Sequence, residues 1–155
     1  MKIIADGCFS KIEDVTREYL VSRNIEGIIL DVDNTIVKDG ETQISEAVTG
    51  WLENVRLPVC LLSNGREQRV KLLANKFGLR YIYKAGKPLK KGYFNAAGLL
   101  GIEDMGKIAV IGDQLFSDIL GGKTSGCYTI KVEPIDSSSD PLTVKIKRWF
   151  ERFVS

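Results

Sequence analysis

The chain has 155 residues, enough for one domain whose core needs no staples. Hydrophobic residues make up 44% and charged ones 27%, and a net charge of +2 is too small to single out nucleic acid as a partner. There is no histidine, which excludes a Ser-His-Asp triad, a Cys-His pair and any histidine-liganded metal.

In chain order, MKIIADGCFSK (1–11) combines a short apolar stretch with an early aspartate, a poor secretory signal. No run reaches the about 20 apolar residues that a membrane span needs, so the expected location is cytoplasmic. A helix is expected over about 11–22. GIILD (27–31) then opens a series of short apolar runs continued by VCLLS (59–63), RYIY (80–83), KIAVIG (107–112) and CYTIKV (127–132). They are continuous rather than alternating, as parallel strands covered on both faces require.

Helical patterns fall between these runs. Ile44, Ala47, Val48, Trp51, Leu52 and Val55 keep a 3.6-residue spacing, and residues 66–77 form a second helix closed by Gly78. A third starts at Pro88 and stops at Gly101. SDILGGKTSG (117–126) leaves room for only a short helix. PIDSSSDP (134–141) reads as a polar linker, followed by a basic helix over about 142–153. The three cysteines, Cys8, Cys60 and Cys127, lie far apart and form no CxxC pair, which argues against a disulfide framework or a zinc site. Cys60 and Cys127 sit in apolar runs and read as small buried hydrophobes. The expected fold is α/β: a doubly wound, mostly parallel, five-stranded Rossmann-like sheet in a single domain over 1–155, with its core at about 25–133.

In such a sheet, ligands bind at the carboxyl ends of the strands. Polar clusters stand at four of those ends: Asp31-Val-Asp33-Asn34-Thr35, then Ser63-Asn64-Gly65, then Lys84 and Lys87, then Asp113 with Asp118. Together they suggest phosphoryl transfer through an aspartate. Asp31 is the candidate nucleophile, since a carboxylate can attack phosphorus and form an aspartyl-phosphate. Asp33, two residues on, falls on the same side of an extended chain and is the candidate acid and base. Without histidine a metal site is built from oxygen, which favours Mg²⁺; Asp31, Asp113 and the backbone carbonyl of Asp33 are its expected ligands. Asn34, Thr35, the Ser63 hydroxyl, the amides around Asn64 and Gly65, and a lysine from YKAGKP would bind the phosphate.

The set DVDNT, LLSNG, KAGKP and GDQLFSD resembles the four motifs of the haloacid dehalogenase superfamily of Mg²⁺-dependent phosphatases. The finer likeness is to its capless subclass IIIA and the YqeG-like proteins, through DNT and GDQLFSDILGG. The resemblance implies that Asp31 is the nucleophile, Asp33 the acid/base and Ser63 the second-motif hydroxyl. Lys87 is the third-motif lysine, with Lys84 as the fallback, because lysine followed by proline is the common form. It further implies that Asp113 is a metal ligand and that Asp118 assists the metal site or orients the lysine. The YqeG-like group includes phosphatidylglycerophosphate phosphatases, which makes that lipid a substrate this resemblance implies.

Many relatives insert a cap domain after the first or second motif. Here residues 36–62 and 64–86 are already taken up by helix and strand, so no cap fits. The open crevice suits a phosphate carried on something large, such as a protein, a nucleic acid or a lipid headgroup. In TVKIKRWFERFVS the aromatics Trp149, Phe150 and Phe153 share a face with Ile146, flanked by Lys145, Lys147, Arg148 and Arg152. That pattern fits a terminal helix docked on the sheet, the favoured reading, and also one at an anionic membrane surface. A second functional reading keeps the fold but makes the chain an interaction protein, a partner of another factor such as one in ribosome assembly.

Overall fold

The β-branched runs form strands, and the computed structural model describes residues 2–136. In chain order the elements are β1 (Gly7–Phe9), α1 (Arg17–Ser22), β2 (Gly27–Leu30), α2 (Glu46–Asn54), β3 (Val59–Leu62), α3 (Glu67–Lys76), β4 (Arg80–Ile82), α4 (Lys90–Leu100), β5 (Ile108–Gly112), α5 (Gly121–Thr124) and β6 (Tyr128–Val132). A π-helical turn, Leu115–Leu120, runs directly into α5. The sheet order is β1-β6-β5-β2-β3-β4, and every pair is parallel.

Alternation within the buried strands divides the core. Ile28, Leu30, Leu61, Ala109 and Ile111 face a layer that includes Val48 and Trp51 of α2 and Leu73 of α3. Ile29, Cys60, Leu62, Ile108 and Val110 face Tyr93, Ala96 and Leu100 of α4. Cys60 and Cys127 are buried as expected, and burial pushes each thiol up to about 12. Ser45 caps α2 by accepting the Val48 amide (3.2 Å), and Gly101 closes α4 at φ 71°.

The sheet corrects the expected strand count, having six strands instead of five. The extra one, β1, is three residues of GCF at the sheet edge beside β6 and too short to carry a pattern. The helix expected over 11–22 is split: a 3-10 turn covers Ile12–Asp14, and α1 begins only after Thr16, whose side chain accepts the Tyr19 amide. α4 begins at Lys90 rather than Pro88, because residues 86–89 are held in a turn by the Leu89 amide on the Gly86 carbonyl (2.9 Å). Ile135 and Asp136, the second and third residues of the expected linker, are tied to Asn34. The expected C-terminal helix lies outside the described residues. Among the described residues no helix is long and apolar enough to cross a membrane.

α2 is locked to the segment ahead of α1 by the Trp51 indole N–H, which donates to the buried Val15 carbonyl at 2.7 Å. Trp51→Phe keeps most of the apolar contact but orphans that carbonyl. The expected loss is about 1–3 kcal/mol in urea denaturation.

Candidate active site

The strand order reverses direction between β2 and β5, and ligand crevices form at such a switch point. Asp31 stands one residue past β2, its amide still paired with the Ile111 carbonyl (2.9 Å), and Asp113 stands one residue past β5. Asp118 comes from the π-helical turn and is 1% exposed. Its Oδ2 accepts the Gln114 amide (3.1 Å) and its Oδ1 accepts the Lys87 ammonium (2.7 Å). The same ammonium donates to Asp31 Oδ1 at 2.8 Å. Buried Thr35 donates to Asp31 Oδ2 (3.0 Å) and lies 3.4 Å from Asp113 Oδ1.

Burial disfavours the charge on each of these carboxylates, and the neighbours decide the outcome. For Asp31 the Lys87 charge and hydrogen bonds from Asp113, Lys87 and Thr35 outweigh burial, so its pKa is lowered. Asp113 is pushed up to about 10, first by burial and then by the charges of Asp31 and Asp118. Asp118 is raised to about 7 by burial and Asp31, with Lys87 pulling the other way. Lys87 is itself raised: burial works against its charge, but Asp118 and Asp31 overcome it.

Carboxylate oxygens of Asp31, Asp113 and Asp118 all lie within 4.8 Å of one another. Besides burial, Asp113 and Asp118 are raised partly by the charge of Asp31 beside them, a repulsion that a bound cation would relieve, and all the donor atoms are hard oxygens. The set therefore fits a divalent cation such as Mg²⁺.

The structure thus brings Asp31, Thr35, Lys87, Asp113 and Asp118 into direct contact, while Lys84 is exposed on the preceding turn. Ser63 is buried at the end of β3, with its oxygen accepting the Gly65 amide (2.9 Å). That amide is spent inside the turn, and among the described residues the Ser63 hydroxyl has no acceptor. Asn64 faces the lysine loop: its Oδ1 accepts the Lys87 amide (2.9 Å) and its Nδ2 donates to the Lys87 carbonyl (3.4 Å). Asn34 adopts φ 61° and accepts the amides of Asp39 and Asp136 on Oδ1, which gives it a place in the turn. The Asp33 carboxylate stays outside the cluster of three. Its Oδ1 accepts the Arg69 guanidinium (2.6 Å) and the Gly40 amide (3.1 Å).

Sequence reasoning missed Arg69 and Tyr93. Arg69 belongs to no motif, and an arginine near the start of a helix usually reads as solvated. Tyr93 is fully buried, and its hydroxyl donates to the Ser117 carbonyl (2.7 Å), anchoring the π-helical turn that presents Asp118. The phenol's pKa is raised by burial and by Asp118. Only its helical position among apolar neighbours hinted at burial. Gly112 completes the arrangement, since a Cβ there would collide with the Asp118 side chain. Gly112→Ala is expected to cost about 2 kcal/mol or more in chemical denaturation.

Comparison with known proteins places this geometry. Residues 45–126 match the family model described as haloacid dehalogenase-like hydrolase. The chain is 36% identical over 152 residues to YqeG of Bacillus subtilis (strain 168), described as a probable phosphatase, covering 96% of this chain and 87% of that one. An uncharacterised protein from Listeria monocytogenes serotype 4b superposes with a TM-score of 0.56 at 15% identity, over 81% of this chain and 99% of that one. A candidate HAD-hydrolase, YfnB from Bacillus subtilis, solved bound to magnesium, gives 0.52 at 19% identity, over 64% of this chain and 47% of that one. At these identities the two solved structures speak for the fold.

Proposed function

Because this chain belongs to the haloacid dehalogenase-like hydrolases, we propose that it is a Mg²⁺-dependent phosphatase cleaving phosphate monoesters through an aspartyl-phosphate on Asp31. The observation that carries this reading is the convergence of Asp31, Lys87, Asp113 and Asp118 at the switch point of the sheet.

Lys87 keeps the Asp31 carboxylate ionised and Thr35 fixes one of its oxygens. A carboxylate oxygen bonds to phosphorus as the ester P–O bond breaks, with Lys87 and the Ser63 hydroxyl donating to the phosphoryl oxygens. Asp33 gives its proton to the departing oxygen through Oδ2, because Oδ1 is occupied by Arg69 and Gly40. In the second half Asp33 takes a proton from water, the water oxygen attacks phosphorus, and phosphate leaves with Asp31 restored. Asp31, Asp113, Asp118 and the Asp33 carbonyl would hold Mg²⁺, whose positive charge would offset the repulsion between carboxylate and phosphate.

The open, capless crevice supports a phosphate carried on a large or lipid-linked molecule. Phosphatidylglycerophosphate is the favoured substrate, reached from the cytoplasm through peripheral contact with the membrane. Wild type and Asp31→Asn are compared for phosphate release, with Mg²⁺ and with EDTA, from an aryl phosphate and from the lipid in mixed micelles. The expected result is turnover that EDTA abolishes and that falls at least about a thousandfold in the variant, with the lipid preferred. Undiminished turnover by Asp31→Asn overturns the mechanism. Full complementation in cells by that variant favours the role of an interaction partner.

A further inference from the structure

Arg69 stands in the first turn of α3, the helix that follows Ser63, Asn64 and Gly65. From there it reaches back to Asp33, beyond the end of the neighbouring strand β2. Its Nη2 donates to Asp33 Oδ1 at 2.6 Å and to the Glu41 carbonyl at 2.7 Å. Its Nε donates to the same carbonyl at 2.9 Å. The Gly40 amide meets the same Asp33 oxygen at 3.1 Å, from a residue at φ 79°. One guanidinium thus ties the Asp33 carboxylate to the backbone of the loop beside it. The main chain of Asp33 is held as well, since it bridges to Val37, whose carbonyl accepts the Asn34 amide (2.7 Å).

The two donors on Oδ1 have a chemical consequence, which rests on the phosphatase reading above. An arginine N–H and a backbone amide can only donate, so Oδ1 stays an acceptor whether or not the acid carries its proton. Among the described residues Asp33 Oδ2 has no partner, and it is the oxygen left to carry that proton. We infer that Arg69 is a positioning residue for proton transfer: it holds the Asp33 carboxyl in one orientation, with Oδ1 fixed and Oδ2 reserved for the departing oxygen. As an Asp31 oxygen bonds to phosphorus and the ester P–O bond breaks, the departing oxygen takes the Oδ2 proton and leaves as an alcohol. Asp33 is left as a carboxylate with the guanidinium already beside it, so the hold survives the transfer. Arg69 itself touches neither phosphorus nor the ester oxygen, and acts through Asp33. Without it the carboxyl turns on a single neutral donor, the Gly40 amide, and loses the alignment that proton transfer needs.

A merely structural Arg69, clasping the loop of Glu41 to α3, would lower turnover of every ester alike. Proton donation matters only where the departing oxygen is strongly basic, so the test compares two leaving groups. The full chain in Mg²⁺ is assayed for kcat/KM on benzyl phosphate, whose alkoxide needs a proton, and on 2,4-dinitrophenyl phosphate, whose phenolate leaves without one. This quantity covers the steps up to departure of the leaving group, so the later attack of water does not enter it. In Arg69→Gln the benzyl ester is expected to lose about a hundredfold, the lower end of what a positioned acid supplies, and the activated ester about threefold or less. Arg69→Lys recovers part of that loss, an ammonium replacing the fork. In an Asp33→Asn background the same Arg69→Gln change costs the benzyl ester little more, because the two residues act as a unit. If circular dichroism shows that Arg69→Gln does not fold, Arg69→Lys is compared on the two esters, with the larger loss expected on the benzyl one. Equal loss on both esters, no loss on either, or full additivity with Asp33→Asn overturns the positioning role and leaves the phosphatase reading intact. Wild type that hydrolyses neither ester sinks both.

Discussion

The ammonium of Lys87 lies 2.8 Å from Asp31 and 2.7 Å from Asp118, with its side chain 4% exposed. A cation so placed has given up its water, and only the two carboxylates make that tolerable. The constraint spreads outward from there. The loop after β4 must turn back over the sheet, which it does with Lys84 at φ 45° and Gly86 at φ 73°. Asn64 then grips the Lys87 backbone through both its amide and its carbonyl. Gly92 lets α4 pass beneath: a Cβ there would stand 2.9 Å from the Ala85 carbonyl oxygen. On the other side, the Gln114 amide and the Tyr93 hydroxyl fix the turn that delivers Asp118. Side chains remote from the reacting atoms thus exist to hold one charge in place.

Most of the sheet was legible because its central strands are buried on both faces, and burial forces continuous apolar sequence. Ile28, Leu30, Leu61 and Ile111 are almost fully buried. β1 escaped notice because an edge strand of three residues has neither length nor burial to shape its composition. The acids and the lysine of the site were legible for a chemical reason: charge at the end of an apolar strand has no place in a core. The two asparagines were harder. Asn34 and Asn64 lie in the same motifs as the reactive groups, yet their side chains hold backbone, and side-chain direction at a turn depends on contacts that spacing does not encode. Arg69 left no trace in the sequence, because its partners Asp33 and Glu41 are distant in the chain and one of its contacts is to a main-chain carbonyl.

With no cap among the described residues, discrimination between substrates falls to the rim of the sheet itself. Two segments form the side near Asp33: the loop of residues 34–45 and the start of α3. They are coupled, since Arg69 and Lys76 of α3 bond the carbonyls of Glu41 and Thr42. A change in that loop is therefore felt by α3, and through Arg69 by Asp33. Small substitutions on an exposed loop can then alter chemistry two shells away.

The sheet is also closed by the two ends of the described chain. β1 pairs only with β6, with Gly7 opposite Ile130, and Asp6 takes both the amide and the hydroxyl of Thr129. The first of the six strands in chain order has no partner until the last of them has been made. Contacts of such long sequence separation form late and slowly. During synthesis the residues of β1 are an unpaired edge in search of a strand, the situation in which nascent chains meet chaperones or one another. The central strands β2 and β3 become neighbours far earlier, so the strand that leads to Asp31 is framed before β1 finds its place.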